Sequence, residues 1–333
     1  MSALLRMGLI DADEQPMMTH LAGGVSSLIM RVDTRRGPLC VKQALPELKV
    51  ASHWSAPLER SHAELAWIRH VSNFLPEGVP AILGEDPSSF CFAMTWLSPE
   101  SYPVWKLQLR EGLVDTAFAS EVGRRLVAIH SATADDDVLA QTFANDENFF
   151  QLRLDPYFGA TAKVHTDCAN VLNELIVATA NNKRVLVHGD ISPKNLLAGP
   201  TGPLLLDAEC AWYGEPAFDA AFCLCHLLAK CLWRPSSSEA FLACFDAFTD
   251  AYFQGVDWEN PAHLEARMAH LLAAIMLARV DGKSPLEYLS ESDREHLRRF
   301  AKARVLSPRT QLKTIRDEWQ RELPSTSLVH STQ

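Results

Sequence analysis

Several common signals are missing from this sequence, and each absence removes a class of chemistry. No GxGxxG run and no Walker-type GxxxxGK[ST] loop occurs, so neither the dinucleotide-binding nor the P-loop way of cradling phosphates is written here. The eight cysteines, Cys40, Cys91, Cys168, Cys210, Cys223, Cys225, Cys231 and Cys244, include no pair of CxxC motifs and sit in apolar surroundings. Buried reduced thiols are expected, not a zinc ribbon or a disulfide frame. Cys223 and Cys225 are two apart and would leave a helix on different sides, which argues against a metal shared between them. Basic residues are outnumbered, 31 against 41 acidic, for a formal charge of -10. A dominant nucleic-acid surface needs clustered Lys and Arg and is not expected. No apolar run reaches membrane-spanning length without charge, and MSALLRMGLI is soon interrupted by Asp11, Asp13 and Glu14. No membrane partner and a cytoplasmic location are expected.

What is present reads as an ordinary globular chain, 47% hydrophobic and 22% charged, able to bury a sizeable core. SSLIMRV and GPLCVKQA, joined by DTRRG, predict an antiparallel hairpin after a Gly-Gly turn. Leu58 to Val71 predicts a helix, and the runs at Ala81 to Leu83 and Phe90 to Leu97 predict strands divided by EDPSS. Beyond Pro99 helical patterns take over at 115–131, 164–181, 218–233, 239–254 and 263–280, interrupted at 184–206 by the apolar runs VLVH and GPLLLD. The expected class is α+β, with a small antiparallel-sheet lobe at 1–97, a larger mainly helical lobe at 98–323 and a polar tail at 324–333.

The densest polar signal is VLVHGDISPKNLL at 185–197, followed by LLLDAEC at 204–210. Asp190 and Asn195 stand in the order Asp, four residues, Asn, and Asp207 follows after a further short hairpin. A phosphoryl-transfer site needs a carboxylate to orient and deprotonate a hydroxyl, and oxygen ligands for magnesium on the nucleotide phosphates; this set supplies both. Taken singly, the same residues are common turn and strand-end formers. His188 is expected to fix the loop through backbone hydrogen bonds. Glu209 reads equally as a second magnesium ligand or as a solvated carboxylate.

Upstream, Gly23 and Gly24 with Ser26 would let backbone amides approach phosphates, although a Gly-Gly before a strand is more often a plain turn. Lys42 lies on the following strand behind the apolar Leu39, Cys40 and Val41, where a buried-face lysine would neutralise phosphates and pair with Glu64 on the next helix. The alternative for both is an ordinary surface charge.

These motifs resemble the aminoglycoside phosphotransferase and choline kinase-like family, a branch of the protein-kinase-like fold, over roughly Gly23 to Leu289. HGDISPKN looks like its H-G-D-x-x-x-x-N loop and DAE like its metal motif. The resemblance implies a two-lobed fold, ATP and Mg2+ as cofactors, and a small polar hydroxylated metabolite as acceptor. It makes Asp190 the catalytic base, Asn195 and Asp207 the magnesium ligands, and Lys42 with Glu64 the holder of the ATP phosphates. The adenine edge would meet backbone groups around Thr95, Trp96 and Leu97, and Asp219 in GEPAFD would accept backbone amides of the catalytic loop. Within the family, VKQALPELKVASHW, ERSHAELAWIRHV and LDAECAWYGEPAFD are similar to the 5-methylthioribose kinase branch, although Asn195 stands where that branch commonly lacks Asn. Trp212 would stack on the acceptor or pack the cleft wall, and Arg279 would hold an acceptor hydroxyl or phosphate or merely complement its helix dipole. An aminoglycoside or amino-alcohol acceptor and a non-catalytic nucleotide-binding regulator are the competing readings, and a homodimer is left open.

Overall fold

The period-two alternation between Ser27 and Ala44 shows up as two long strands, β2 (Ser27–Thr34) and β3 (Gly37–Ala44), closed by a tight turn in which Thr34 Oγ1 donates to the Gly37 carbonyl at 2.8 Å. The computed structural model of the protein describes residues 1–21, 26–47 and 57–324. Before the hairpin come a short helix, α1 (Ser2–Arg6), and β1 (Met17–His20). After it come α2 (Arg60–Ser72), β4 (Ile82–Asp86) and β5 (Cys91–Thr95). The strands form one antiparallel sheet in the order β1-β2-β3-β5-β4.

Alternation assigns the two faces of this sheet. Val32, Leu39 and Ala93 face Leu4 and Ile10 of the N-terminal segment. Cys40, Phe92 and Met94 join Leu65, Trp67 and Ile68 of α2 in the main core. Lys42, two residues after Cys40, shares the α2 side. This parity is what buries a lysine beside α2.

The rest is mainly helical: α3 (Trp105–Glu111), α4 (Thr116–Ala132), α5 (Asp137–Thr142), α6 (Asp146–Phe149), α7 (Ala160–Val164), α8 (Ala169–Asn181), α9 (Pro216–Trp233), α10 (Ser238–Phe253), α11 (Pro261–Asp281), α12 (Glu291–Leu306) and α13 (Leu312–Glu322). Their starts carry the expected chemistry: Asp115 caps α4, Glu215 precedes Pro216 at α9, Asn260 precedes Pro261 at α11, and Ser290 with Asp293 forms a capping box at α12. α9 is the one described helix long and apolar enough to cross a membrane, and it is 94% buried inside the protein.

Two stretches depart from the periodicity reading. The helix expected at 164–181 begins only at Ala169, because His165 leaves the helical region at φ -113°, ψ 80° and a turn intervenes. Between α6 and α7, Phe150–Gly159 is wound as a π-helix through Pro156. Proline has no N–H to donate, and the wider winding absorbs the missing bond, so a continuous helical path runs where the sequence shows a break.

Two small antiparallel pairs interrupt the helices: β6 (Val185–Val187) with β9 (Trp212–Gly214), and β7 (Leu196–Gly199) with β8 (Gly202–Leu205). They hold the polar loops 188–195 and 206–211 side by side, facing the Lys42 side of the sheet.

Candidate active site

The loop after β6 is fastened from below by one carboxylate. Asp219, fully buried in the first turn of α9, accepts the N–H of His188 on Oδ2 and the N–H of Gly189 on Oδ1, each at 2.7 Å. A carboxylate at a helix start is also favoured by the dipole. Gly189 has φ +81°, and a Cβ there would stand 2.7 Å from the Cys210 Cβ and 2.9 Å from its carbonyl oxygen, so only glycine lets the two loops close on each other.

His188 ties the same loops together through its ring. Its Nδ1 accepts the Asp190 N–H at 3.2 Å, which leaves the proton on Nε2 to donate to the Leu206 carbonyl at 3.1 Å. Burial pushes its pKa down, and the imidazole is neutral. Asn195 adds a second tie: its Nδ2 donates to the Asp190 carbonyl at 3.1 Å, and its own carbonyl accepts the Leu206 N–H at 2.9 Å.

The carboxylate so positioned is Asp190, only 4% exposed. Arg153 Nη2 lies 3.0 Å and Lys194 Nζ 3.1 Å from Oδ2, and Arg153 Nε donates to the Gly189 carbonyl at 2.5 Å. Burial alone would raise the Asp190 pKa, but Lys194 and Arg153 outweigh it and hold the group well below the usual carboxylate range. It is therefore an ionised acceptor at neutral pH.

Opposite stands a chain of alternating charge. Lys42 Nζ is 2.7 Å from Glu64 on α2 and also bonds Asp207 Oδ1. Burial opposes the lysine's charge, while Asp207, Glu64 and Glu209 together raise its pKa above the ordinary value. Burial likewise raises Glu64, and Asp207 is held low chiefly by Lys42 and Lys194 against its own burial. Asp207 sits at φ +70°, a left-handed conformation that Asp tolerates better than most residues and that is uncommon enough to mark a functional loop. Glu209 is not solvated: it is 8% exposed, and its Oε2 lies 3.0 Å from Arg60 Nε. Arg60 also donates to the carbonyls of Ser26 and Leu45, each at 2.6 Å, so it joins the sheet to the Asp207–Glu209 loop.

The sequence therefore assembles Lys42, Glu64, His188, Asp190, Asn195, Asp207, Glu209 and Asp219 at one place. Gly23 and Gly24 lie outside the described residues. Ser26 is buried, with its carbonyl shared between Arg60 and the Leu45 N–H. Thr95 ends β5 with its N–H donated to Ala81 at 2.9 Å, so it has no amide to offer a base; Trp96 and Leu97 follow it directly, and Arg31 lies 5.1 Å from the Trp96 ring centroid. Stacking of an acceptor on Trp212 is corrected. Its ring is 1% exposed, stacked on Phe149 at 4.2 Å, with the Lys183 ammonium 3.9 Å from its centroid, which leaves packing as its work. Arg279 is buried at the end of α11, with Nη1 donating to Ser284 Oγ at 2.7 Å and to Tyr157 Oη at 3.3 Å.

Three basic residues escaped the sequence reading. Lys194 was visible inside the motif itself, four residues after Asp190. Arg153 and Arg60 carried no local signal, because their partners are distant in sequence and are supplied only by the fold.

Among the described residues no group of three His, Cys, Asp or Glu side chains forms a ready metal cage. The oxygen donors present, Asp207 with Asn195 and Glu209, suit a hard cation that takes its remaining ligands from phosphates and water.

A sequence model of the phosphotransferase enzyme family matches residues 18–264. Curated relatives include the methylthioribose kinase of Geobacillus thermodenitrificans, 27% identical over 267 residues covering 70% of this chain and 65% of that one. Another is the methylthioribose kinase of Geobacillus sp. strain WCH70, 26% identical over 281 residues, covering 75% and 70%. The chain thus spans about two thirds of the length of the relatives it matches. Among solved structures, Plasmodium vivax ethanolamine kinase superposes with a TM-score of 0.55 at 12% identity, covering 93% of this chain and 86% of that one. An amicoumacin kinase in complex with AMP-PNP, Ca2+ and its ligand superposes with a TM-score of 0.55 at 15% identity, covering 91% of each. These likenesses establish the two-lobed, protein-kinase-like fold.

Proposed function

Because the chain belongs to the phosphotransferase enzyme family, we propose that it transfers the γ-phosphoryl group of ATP to a hydroxyl of a small, sugar-like metabolite. The observation that carries this reading is the double contact of Lys42 with Glu64 and Asp207, which joins the sheet and α2 to the 206–211 loop beside the one holding Asp190. In this reading Lys42 neutralises the nucleotide phosphates and Glu64, paired with it, aims it. The adenine edge would be read by backbone groups of Trp96 and Leu97. Asp207 and Asn195, with Glu209 beside them, would hold magnesium, which when bound neutralises charge on the transferring phosphoryl oxygens.

Asp190 accepts the proton of the acceptor hydroxyl as the new oxygen–phosphorus bond forms and the bond to ADP breaks. Its low pKa makes it an orienting group more than a strong base, in keeping with a loose transition state that demands little nucleophile activation. Curated relatives named methylthioribose kinase make 5-methylthioribose the first acceptor to test.

The aminoglycoside reading requires a free acidic pocket, and the candidate carboxylates are engaged elsewhere. Glu215 pairs with Arg267, Asp219 with backbone amides, Asp281 with His165 and Arg298, and Glu287 with Lys106. The regulatory reading would favour loss of a catalytic residue, and the set is complete. The test is ADP release against a panel of hydroxylated metabolites, with the phosphorylated product identified by mass and Asp190→Asn as comparison. Equal acceptor-dependent turnover in the two proteins overturns the assigned role of Asp190.

A further inference from the structure

Near Asp190 a group of basic side chains gathers in a protein whose overall charge is -10. Lys230, near the end of the apolar helix α9, is 1% exposed and makes no side-chain hydrogen bond or ion pair among the described residues, with Glu287 acting on it only from beyond ion-pair distance. Its ammonium rests 4.5 Å from the Trp233 ring centroid and 4.7 Å from that of Tyr288. Arg279 is 92% buried; among the described residues it has no ion-paired carboxylate, its Nε has no hydrogen-bond acceptor, and the Tyr288 hydroxyl has no hydrogen-bond partner. Lys106 closes the group, 5.6 Å from the Tyr288 ring, with Glu287 as its counter-ion at 2.5 Å.

This cluster is continuous with the catalytic loop. Arg153, which grips Asp190, and Arg279 both lie over the Tyr157 ring, at 5.7 and 5.9 Å from its centroid. The backbone N–H of Lys106 donates to the carbonyl of Pro193 in the catalytic loop at 2.8 Å. Among the described residues Arg153, Lys194 and Lys106 are ion-paired here with Asp190 and Glu287, Asp207 and Glu209 act on Lys194 and Arg153 from further off, and Lys230 and Arg279 have no carboxylate at ion-pair distance. Buried cations and donors left without acceptors are costly, and proteins keep them where a ligand supplies the missing charge.

We propose that the acceptor carries an anionic group, a carboxylate or a phosphate monoester, received by Lys230, the free Nε of Arg279 and the hydroxyl of Tyr288 while Asp190 holds the reacting hydroxyl. This rests on the kinase reading and narrows its substrate class. A neutral or cationic acceptor would leave these donors unanswered. Burial, with Lys106 and Arg279 nearby and Glu287 only partly offsetting them, pushes the Lys230 pKa down to about 7, and a bound anion would restore its charge.

The test is calorimetric titration of the full chain, saturated with Mg-AMP-PNP, with ribonate, ribose 5-phosphate, ribose and 5-methylthioribose. At least one anion is expected to bind roughly tenfold tighter than ribose, and the tighter of the two assigns carboxylate or phosphate. Lys230→Met should erase that preference; Lys106→Met, at a side chain 30% exposed where folding is not at stake, should reduce it. The inference is overturned if ribose or 5-methylthioribose binds as tightly as both anions, if neither anion binds at about 10 mM, or if both variants keep the preference. Phosphorylation of a neutral acceptor without anion preference removes this inference and keeps the kinase reading. Failure of Mg-AMP-PNP to bind removes the kinase reading itself.

Discussion

Arg153 holds Asp190 by two points at once, its Nη2 3.0 Å from the carboxylate and its Nε donating to the carbonyl of Gly189. A lysine cannot make that pair of contacts from one planar group. Arg153→Met is therefore expected to lower kcat by about 10- to 100-fold through misplacement of the carboxylate, with Arg153→Lys recovering only part. Because Arg153 helps hold the Asp190 pKa low, its loss should also move the acid limb of the kcat/KM profile to higher pH. An unchanged limb would assign Arg153 to packing alone.

Asp207→Ala should reduce turnover by at least about 100-fold while the fold persists, since Glu64 still answers the buried charge of Lys42. ADP release and a thermal melt of the same preparation separate the two effects. Retained activity would place the metal elsewhere.

Gly189→Ala forces a side chain into φ +81° and against Cys210. The expected cost is about 2–4 kcal/mol, read as a lower urea midpoint at unchanged slope. A neutral result would mean that the two loops are looser than their contacts indicate.

Folding should weaken as the medium is acidified from neutrality. His188 and His226 are buried, and burial lowers both pKa values, so between the unfolded value near 6.5 and the folded values the unfolded chain binds more protons. Their contribution is complete above about pH 6.5 and is lost as pH falls towards the folded pKa values. Urea midpoints at pH 7.5 and 5.5 measure the drop, and His226→Gln should shrink it.

All eight cysteines are buried and free, and burial pushes Cys40 and Cys91 up to about 11. A thiol reagent should therefore label the native protein slowly and the urea-unfolded chain fully. Rapid labelling of one native thiol would reveal a local opening.

The parts legible beforehand share a property: their information is local. The apolar run Leu39, Cys40 and Val41 pointed Lys42 to a buried face, and Asp190 and Asn195 stand at a fixed spacing inside a single loop. Asp219 was placed through its resemblance, and the structure shows both amides on its carboxylate. What escaped is information distributed across the chain. Arg153 lies on a π-wound segment that Pro156 disguises as a break, and its partner arrives 37 positions later. Glu209 could be read as metal ligand or solvated group only because Arg60, at the start of α2, is invisible from its neighbourhood. The helices α12 and α13 were likewise not anticipated.

One rigid rod carries both ends of the proposed chemistry. Asp219 fastens the catalytic loop at the first turn of α9, and Lys230 stands eleven residues later, about 16 Å along the axis at 1.5 Å per residue. With 94% of its residues buried, the helix is held along its length by the core. It works as a gauge of molecular length: the gap between the hydroxyl that reacts and the group that anchors is set by the core. Exchanging side chains near Trp233 would alter what is accepted, while the reach of the site would stay the same.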